Sequence, residues 1–386
     1  MTFKKSLIAA CICTFGAGQA MAAAPAAEVA KLGVSLTETG AEMAGNADGS
    51  IPAFDKTLRF TNPNNDGSLG DPMDPNEKPL YSIDKSNMAE YKDILTAGQI
   101  QLLETKDGFR MDVFKTYRSA ILPEKAAANS IINASTTTLT NEGLTLTDAL
   151  MGVPFPIPQN GLEAIWNHLN RYIADTYGGR SYSYYVDSSG NAVTSSVQSV
   201  EFSSPLNTPE LDWSEDDKNE WVLYRSNFEA PARRAGEITL VREPTDFSEG
   251  NGRKAWQYLA GQRRVRRAPS ISFDTPAPAS AGNNTYDDTY IYNGSPERYD
   301  WKLIGKQECI IAYNTWKTSM RPKEEHAAML TANYFNPDSV RWEKHRCWVV
   351  EANLKEGQRH VYKTRRFYLD EDSWHGVMSD MYDAQD

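Results

Sequence analysis

From Ser181 onward, side-chain character alternates with a period of two over one long run after another, and a chain so patterned is confined to sheets that are polar on one face and apolar on the other. YSYYVDSSGNAVTSSVQSVEF reads as two strands around a Ser-Ser-Gly-Asn turn, and AGEITLVREPTDF and GRKAWQYLA flank SEGNG in the same way. WKLIGKQECIIAY, CWVVEANLK and RHVYKTRRFYLD follow, the last two joined through Glu356-Gly357-Gln358. Strands in direct succession pair antiparallel, and this many of them favour a strongly curved sheet or open barrel over a flat one. TPAPASAGNN, before Tyr286, is a long loop, and KEEHAAMLTANYF a short helix between strands.

Two helical stripes precede the strands. Met88, Tyr91, Leu95 and Leu102 share one face between Ser86, a cap candidate, and Glu104. Leu162, Ile165, Trp166, Leu169, Tyr172 and Ile173 form a second stripe, stopped by Gly178 and Gly179. Such stripes usually face a core. Here they can cover the concave face of a curved sheet, leaving room for an apolar ligand between helix and strands.

Lys4 and Lys5, the apolar run Leu7 to Ala17 and the small residues Ala20 and Ala22 make residues 1–22 a secretory signal peptide cut after Ala22. The expected location is therefore the periplasm. Removing the two lysines takes the formal charge from −11 to −13, and an acidic chain is no general nucleic-acid binder. Cleavage also leaves Cys309 and Cys347 as the remaining thiols, on strand-like runs that can be sheet neighbours; a disulfide and two buried small hydrophobes are both open readings. Residues 23–80, rich in Gly, Asn, Asp and Pro, read as an extended arm that Ile51, Phe54, Leu58 and Phe60 can dock on a body spanning 81–386.

Gly252 to Pro269 is too basic for an ordinary core strand and too aromatic for a plain surface one. Its Trp256 and Tyr258, with Trp348, Tyr362 and Trp166, are the candidate cavity lining, against the plainer reading that each fills the core. By strand parity Arg263 and Arg267 share a face with Val265, and Arg264 and Arg266 take the other. Arg264 and Arg266 can hold an anionic headgroup or face a partner; solvation is the simpler alternative. The five histidines are scattered, and His345 with Cys347 lacks any accompanying zinc motif, so no metal or other cofactor is expected. Asp370-Glu371-Asp372 ends a strand and can bind a cation, though a solvated turn is the simpler reading. No catalytic motif nominates an enzyme.

LGVSLTETGAEMAGNADGSIPAF, GRKAWQYLAGQRRVRRAP, YNGSPERYDWKLIGKQE, HRCWVVEANLKEGQRHVYKTRRFYLDEDSW and MYDAQD resemble, in this order, the blocks of the bacterial domain-of-unknown-function family thirteen-twenty-nine, related to LolA/LolB-like outer-membrane lipoprotein-sorting proteins. The resemblance implies a mainly β (α+β) fold, a strongly curved antiparallel sheet forming an incomplete barrel covered by helices. It also implies a carrier for a lipid, lipoprotein or other hydrophobic cargo, working beside an exporter of the resistance-nodulation-division type and an outer-membrane β-barrel protein. A structural adaptor between those two is the alternative. Members of that family run beyond the MYDAQD block, so a chain ending at Asp386 is expected to leave a sheet edge exposed.

Overall fold

The computed structural model describes residues 24–64, 69–187, 189–214, 220–268 and 273–385; the leader and its cut after Ala22 lie outside them. The arm opens with one helical turn, α1 (Ala26–Val29), and continues without regular structure, yet it buries Ala41 and Ile51. It reaches the body through backbone carbonyls. Trp374 Nε1 donates to Thr39 at 2.9 Å, and the Arg346 guanidinium donates to Glu42 and Ala44 at 3.2 and 2.8 Å.

Short strands β1 (Tyr81–Ile83) and β2 (Met111–Val113) pair antiparallel and enclose the first helical stripe. That stripe is broken in two: a 3₁₀ stretch, Met88–Ile94, precedes α2 (Ala97–Thr105). The break lies at Thr96, whose side chain accepts from the Gln99 amide while Gln99 reciprocates on Thr96, a capping box that starts a new helix. Ser86 caps nothing; its hydroxyl donates to Asp84 at 2.6 Å.

Helix α3 (Glu124–Thr136) carries no strong apolar stripe and is absent from the sequence reading. Its buried face includes Ser130 and Asn133, which bond the backbone of Leu150 and Val153 at 2.9–3.1 Å. A small hairpin, β3 (Thr138–Thr140) and β4 (Thr145–Thr147), leads into α4 (Gly161–Leu169), the second predicted stripe, capped by Asn160 on the Glu163 amide.

The period-two runs fall into two six-stranded sheets. One is a plain meander of β5 (Thr176–Val186), β6 (Ala192–Ser203), β7 (Glu220–Ala230), β8 (Ile238–Pro244), β9 (Lys254–Leu259) and β10 (Arg264–Arg267), each beside its sequence neighbour. In the other, β12 (Trp342–Leu354) lies between β11 (Tyr299–Ala312) and β13 (Thr364–Asp370), with β14 (Gly376–Tyr382) beyond and β2 joined at Trp342↔Val113. A single turn, α5 (Trp316–Ser319), and a 3₁₀ stretch, Lys323–Met329, link β11 to β12. Register shifts at Ser183/Tyr184, Val197/Gln198 and Leu303/Gly305 bend these long strands. The expected fold class holds: mainly β, curved and antiparallel, with neither sheet closed.

Helix α4 packs its apolar face directly on the β11–β12 sheet. Ile165, Trp166 and Leu169 meet Val350, Phe367, Leu369 and Trp374, all at most 3% exposed. Gly161 permits this approach: a Cβ there would sit 2.6 Å from the backbone N and C of Lys302. Gly161→Ala is therefore expected to lift the helix start off β11 and lower stability by about 1–3 kcal/mol, the usual cost of overpacking. Urea unfolding checks this, and an unchanged midpoint would show that α4 tolerates a wider spacing.

Candidate binding cavity

The cavity lies against the meander. Register aligns Tyr177, Phe202, Tyr224, Val241 and Ala255 in one row across β5 to β9. Two residues along each strand, on the same face, comes Gly179, Val200, Ser226, Thr239 and Gln257, and the next pair in line is Ser181 and Gln198. Apolar and aromatic side chains thus grade into hydroxyls and amides along the strand direction. The alternation that makes these strands also selects this face, because period two sends every second residue to one side.

The roof is the Pro/Ala/Asn loop predicted between strands. Ala277, Pro278, Ala279, Tyr286, Tyr290 and Asn293 close over the sheet and leave about 360 Å³, within the range of small-molecule sites. Ser195 and Ser196 donate to the Ala279 carbonyl at 2.8 and 3.2 Å, and the Tyr177 and Tyr290 hydroxyls meet at 3.2 Å, so the roof is tied to β5 and β6. Burial pushes the Tyr224 phenol up to about 12 and raises those of Tyr177 and Tyr286, so all three stay neutral at physiological pH.

Two arginines and one glutamate belong to the lining. Arg253 pairs with Glu243 at 2.9 Å and donates to the Asn293 carbonyl. Arg234, in the β7–β8 turn, donates through Nε to Glu237 at 2.8 Å and stacks its guanidinium 3.5 Å from the Phe228 ring centroid.

None of the five aromatic candidates lines this cavity. Gln257 lines it, so its neighbours Trp256 and Tyr258 point to the opposite face of β9. Trp166 is fully buried under α4, its Nε1 donating to Gly143 O at 2.8 Å, and Trp348 stacks on Trp374 at 5.7 Å in the same core. Tyr362 is half-buried and its hydroxyl donates to Asp288. Arg264 and Arg266 share the cavity face of the sheet with Gln257 and are exposed beyond the lining. Where the sequence suggested room between helix and sheet, the α4 face packs against Val350, Phe367, Leu369 and Trp374, and the cavity described here sits on the other sheet under a loop. The serines and glutamines facing it gave no composition signal.

The acidic turn is likewise corrected. Asp370, Glu371 and Asp372 are at most 2% exposed. Arg118 grips both Asp372 oxygens at 2.6 and 2.9 Å, and Arg346 and Lys306 hold Glu371 at 2.6 and 3.1 Å. His345 binds Glu343 at 3.1 Å and stands 3.8 Å from Asp370. Ligand atoms of His345, Asp370 and Asp372 lie within 4.8 Å of one another, but the Arg118 fork already occupies Asp372. Cys309 and Cys347 are buried on neighbouring strands without a disulfide between them; burial and the adjacent Cys309 hold the Cys347 thiol well above its ordinary value.

Two open sheets, one of them roofed over a cavity of graded lining, define a mainly β protein with a candidate binding site on its meander. Residues 82–386 match the family described as "Protein of unknown function (DUF1329)". The chain belongs to that family. It is 43% identical over 375 residues to an uncharacterised protein of Pseudomonas aeruginosa, covering 96% of this chain and 81% of the other. Among solved structures it is similar to a DUF1329 family protein from Desulfovibrio piger, at 17% identity and TM-score 0.34 over 55% of this chain and 67% of that one. It is also similar to a putative outer membrane lipoprotein-sorting protein domain from Vibrio parahaemolyticus, at 14% identity and TM-score 0.35 over 58% and 72%.

Proposed function

We propose that the protein is a periplasmic carrier that holds a lipid or similar hydrophobic cargo without changing it covalently. The observation that carries this reading is the roofed cavity of about 360 Å³, lined by Phe202, Trp221, Tyr224, Val241 and Tyr286 beside hydroxyls and amides. The leader-like first 22 residues support the compartment, and among the described residues no helix is long and apolar enough to cross a membrane. Cargo would pass between envelope partners, an exporter of the resistance-nodulation-division type and an outer-membrane β-barrel protein. Native extraction followed by mass spectrometry is expected to find bound lipid, and fluorescent fatty acid to be taken up. Thr239→Trp, which fills the middle of the cavity, should abolish uptake while the melting temperature holds. Uptake unaffected by Thr239→Trp would overturn the reading.

A structural adaptor is the second reading, favoured by the edge strand β10, whose four residues Arg264 to Arg267 are all exposed. Copurification of envelope proteins that survives Thr239→Trp but is lost when Arg264 and Arg266 become glutamate would select it.

A further inference from the structure

We infer that the cargo is an amphiphile with an anionic headgroup, a carboxylate or phosphate, received by the Arg234 guanidinium at the β7–β8 end of the cavity. The inference rests on the carrier reading and specifies what is carried.

The two ends of the cavity differ in what their arginines have left to offer. At the end of β8, Arg253 is committed to Glu243, which also accepts from the Asn293 side chain at 3.1 Å. That end is closed on itself. At the opposite end, Glu237 takes the Arg234 Nε, but Arg234 Nη1 is buried and has no hydrogen-bond acceptor among the described residues. An unsatisfied N–H of a charged group out of water is costly, and a ligand oxygen removes the cost. The Phe228 ring beneath the guanidinium fixes its plane, presenting the remaining nitrogens edge-on as a carboxylate or phosphate requires.

The gradient of the sheet face agrees in direction. A tail lying over Phe202, Tyr224 and Val241 leads toward Ser226 and Thr239, then toward Phe228 and the turn holding Arg234. The Ser226–Thr239–Gln257 row runs on to Arg266, and Gly236 of the turn packs near Ala260 of the β9–β10 turn. Arg264 opens β10 just after that turn, so it lies at the same end of the sheet as Arg234. Their field favours an anion approaching there and disfavours a cation.

The test compares oleate, oleyl phosphate and oleyl alcohol, which share one tail, by displacement of a fluorescent fatty acid from the full chain. Oleate or oleyl phosphate is expected to bind at least about tenfold tighter than the alcohol, the usual size of a charge-assisted hydrogen bond. Arg234→Gln should erase that preference, and Arg234→Lys should restore part of it, separating loss of charge from loss of fold. Preference for one acid alone identifies the headgroup. Equal binding of acids and alcohol overturns the headgroup inference while leaving the carrier intact. If none of the three binds, the carrier reading falls, and this inference with it.

Discussion

Replacing Arg118 by alanine is expected to lower stability by about 3–5 kcal/mol, the cost of breaking a buried ion pair by removing one partner. The guanidinium is 2% exposed, makes both bonds to Asp372, stands 3.6 Å from Glu371 and lies over the Phe54 ring of the arm. Without it the buried Asp372 carboxylate loses its paired cation. Arg118→Met combined with Asp372→Leu should recover much of the loss, since removing both charges removes the desolvation problem with the attraction. Lys125 and Glu210, paired at 3.4 Å with both side chains 60% exposed, are the control, and Lys125→Ala should stay within about 0.5 kcal/mol. Urea unfolding measures all three variants; an Arg118→Ala cost as small as the control's would mean that this cluster is hydrated in solution.

Stability is also expected to rise by about 3 kcal/mol between pH 4 and pH 6 and to decline above roughly pH 7, at about 1.4 kcal/mol per proton per pH unit. His168 accepts the Gly376 N–H on Nδ1 at 2.9 Å and donates from Nε2 to the Tyr292 carbonyl at 3.0 Å, an arrangement open only to the neutral ring. Burial lowers its pKa far below the usual value, and burial with the Arg171 charge takes His375 down to about 3. The unfolded chain binds protons at these two positions below about pH 6.5 and the folded chain does not, so acidification favours unfolding. Asp287, lowered to about 2 chiefly by His360 and Arg365 against its own desolvation, adds to the loss below about pH 4. Asp370, raised to about 6 by burial and by Asp372, opposes part of this rise. His345, raised by Glu343 and Asp370 against desolvation, gives up its stabilising proton only above the ordinary histidine range, which produces the alkaline decline. Thermal unfolding at constant ionic strength from pH 4 to 9 checks the profile, and a monotonic rise to pH 9 would contradict the assignment of His345.

The strands, the β5–β6 hairpin and the α4 stripe were legible because each is written in local periodicity. The cavity was not, because its location depends on which face of β9 meets the roof. Trp256 and Tyr258 drew attention by size, while Gln257 between them does the lining. Asp370 to Asp372 looks like a solvated turn in any local window; its cations, Arg118, Lys306 and Arg346, come from three separate parts of the chain. Helix α3 escaped notice since its buried Ser130 and Asn133 satisfy a loop rather than fill a core.

The ties between arm and body also set an order of events. Thr39 waits for Trp374, 335 residues later, and Glu42 and Ala44 for Arg346, more than 300 residues later. Synthesis delivers the amino end first, so the arm has nowhere to dock until almost the last strand has been made. Contacts of such separation close late and slowly. Until then Trp374 Nε1 and the Arg346 guanidinium lack the arm carbonyls they bond in the folded chain, and the arm acts as a latch that closes over them.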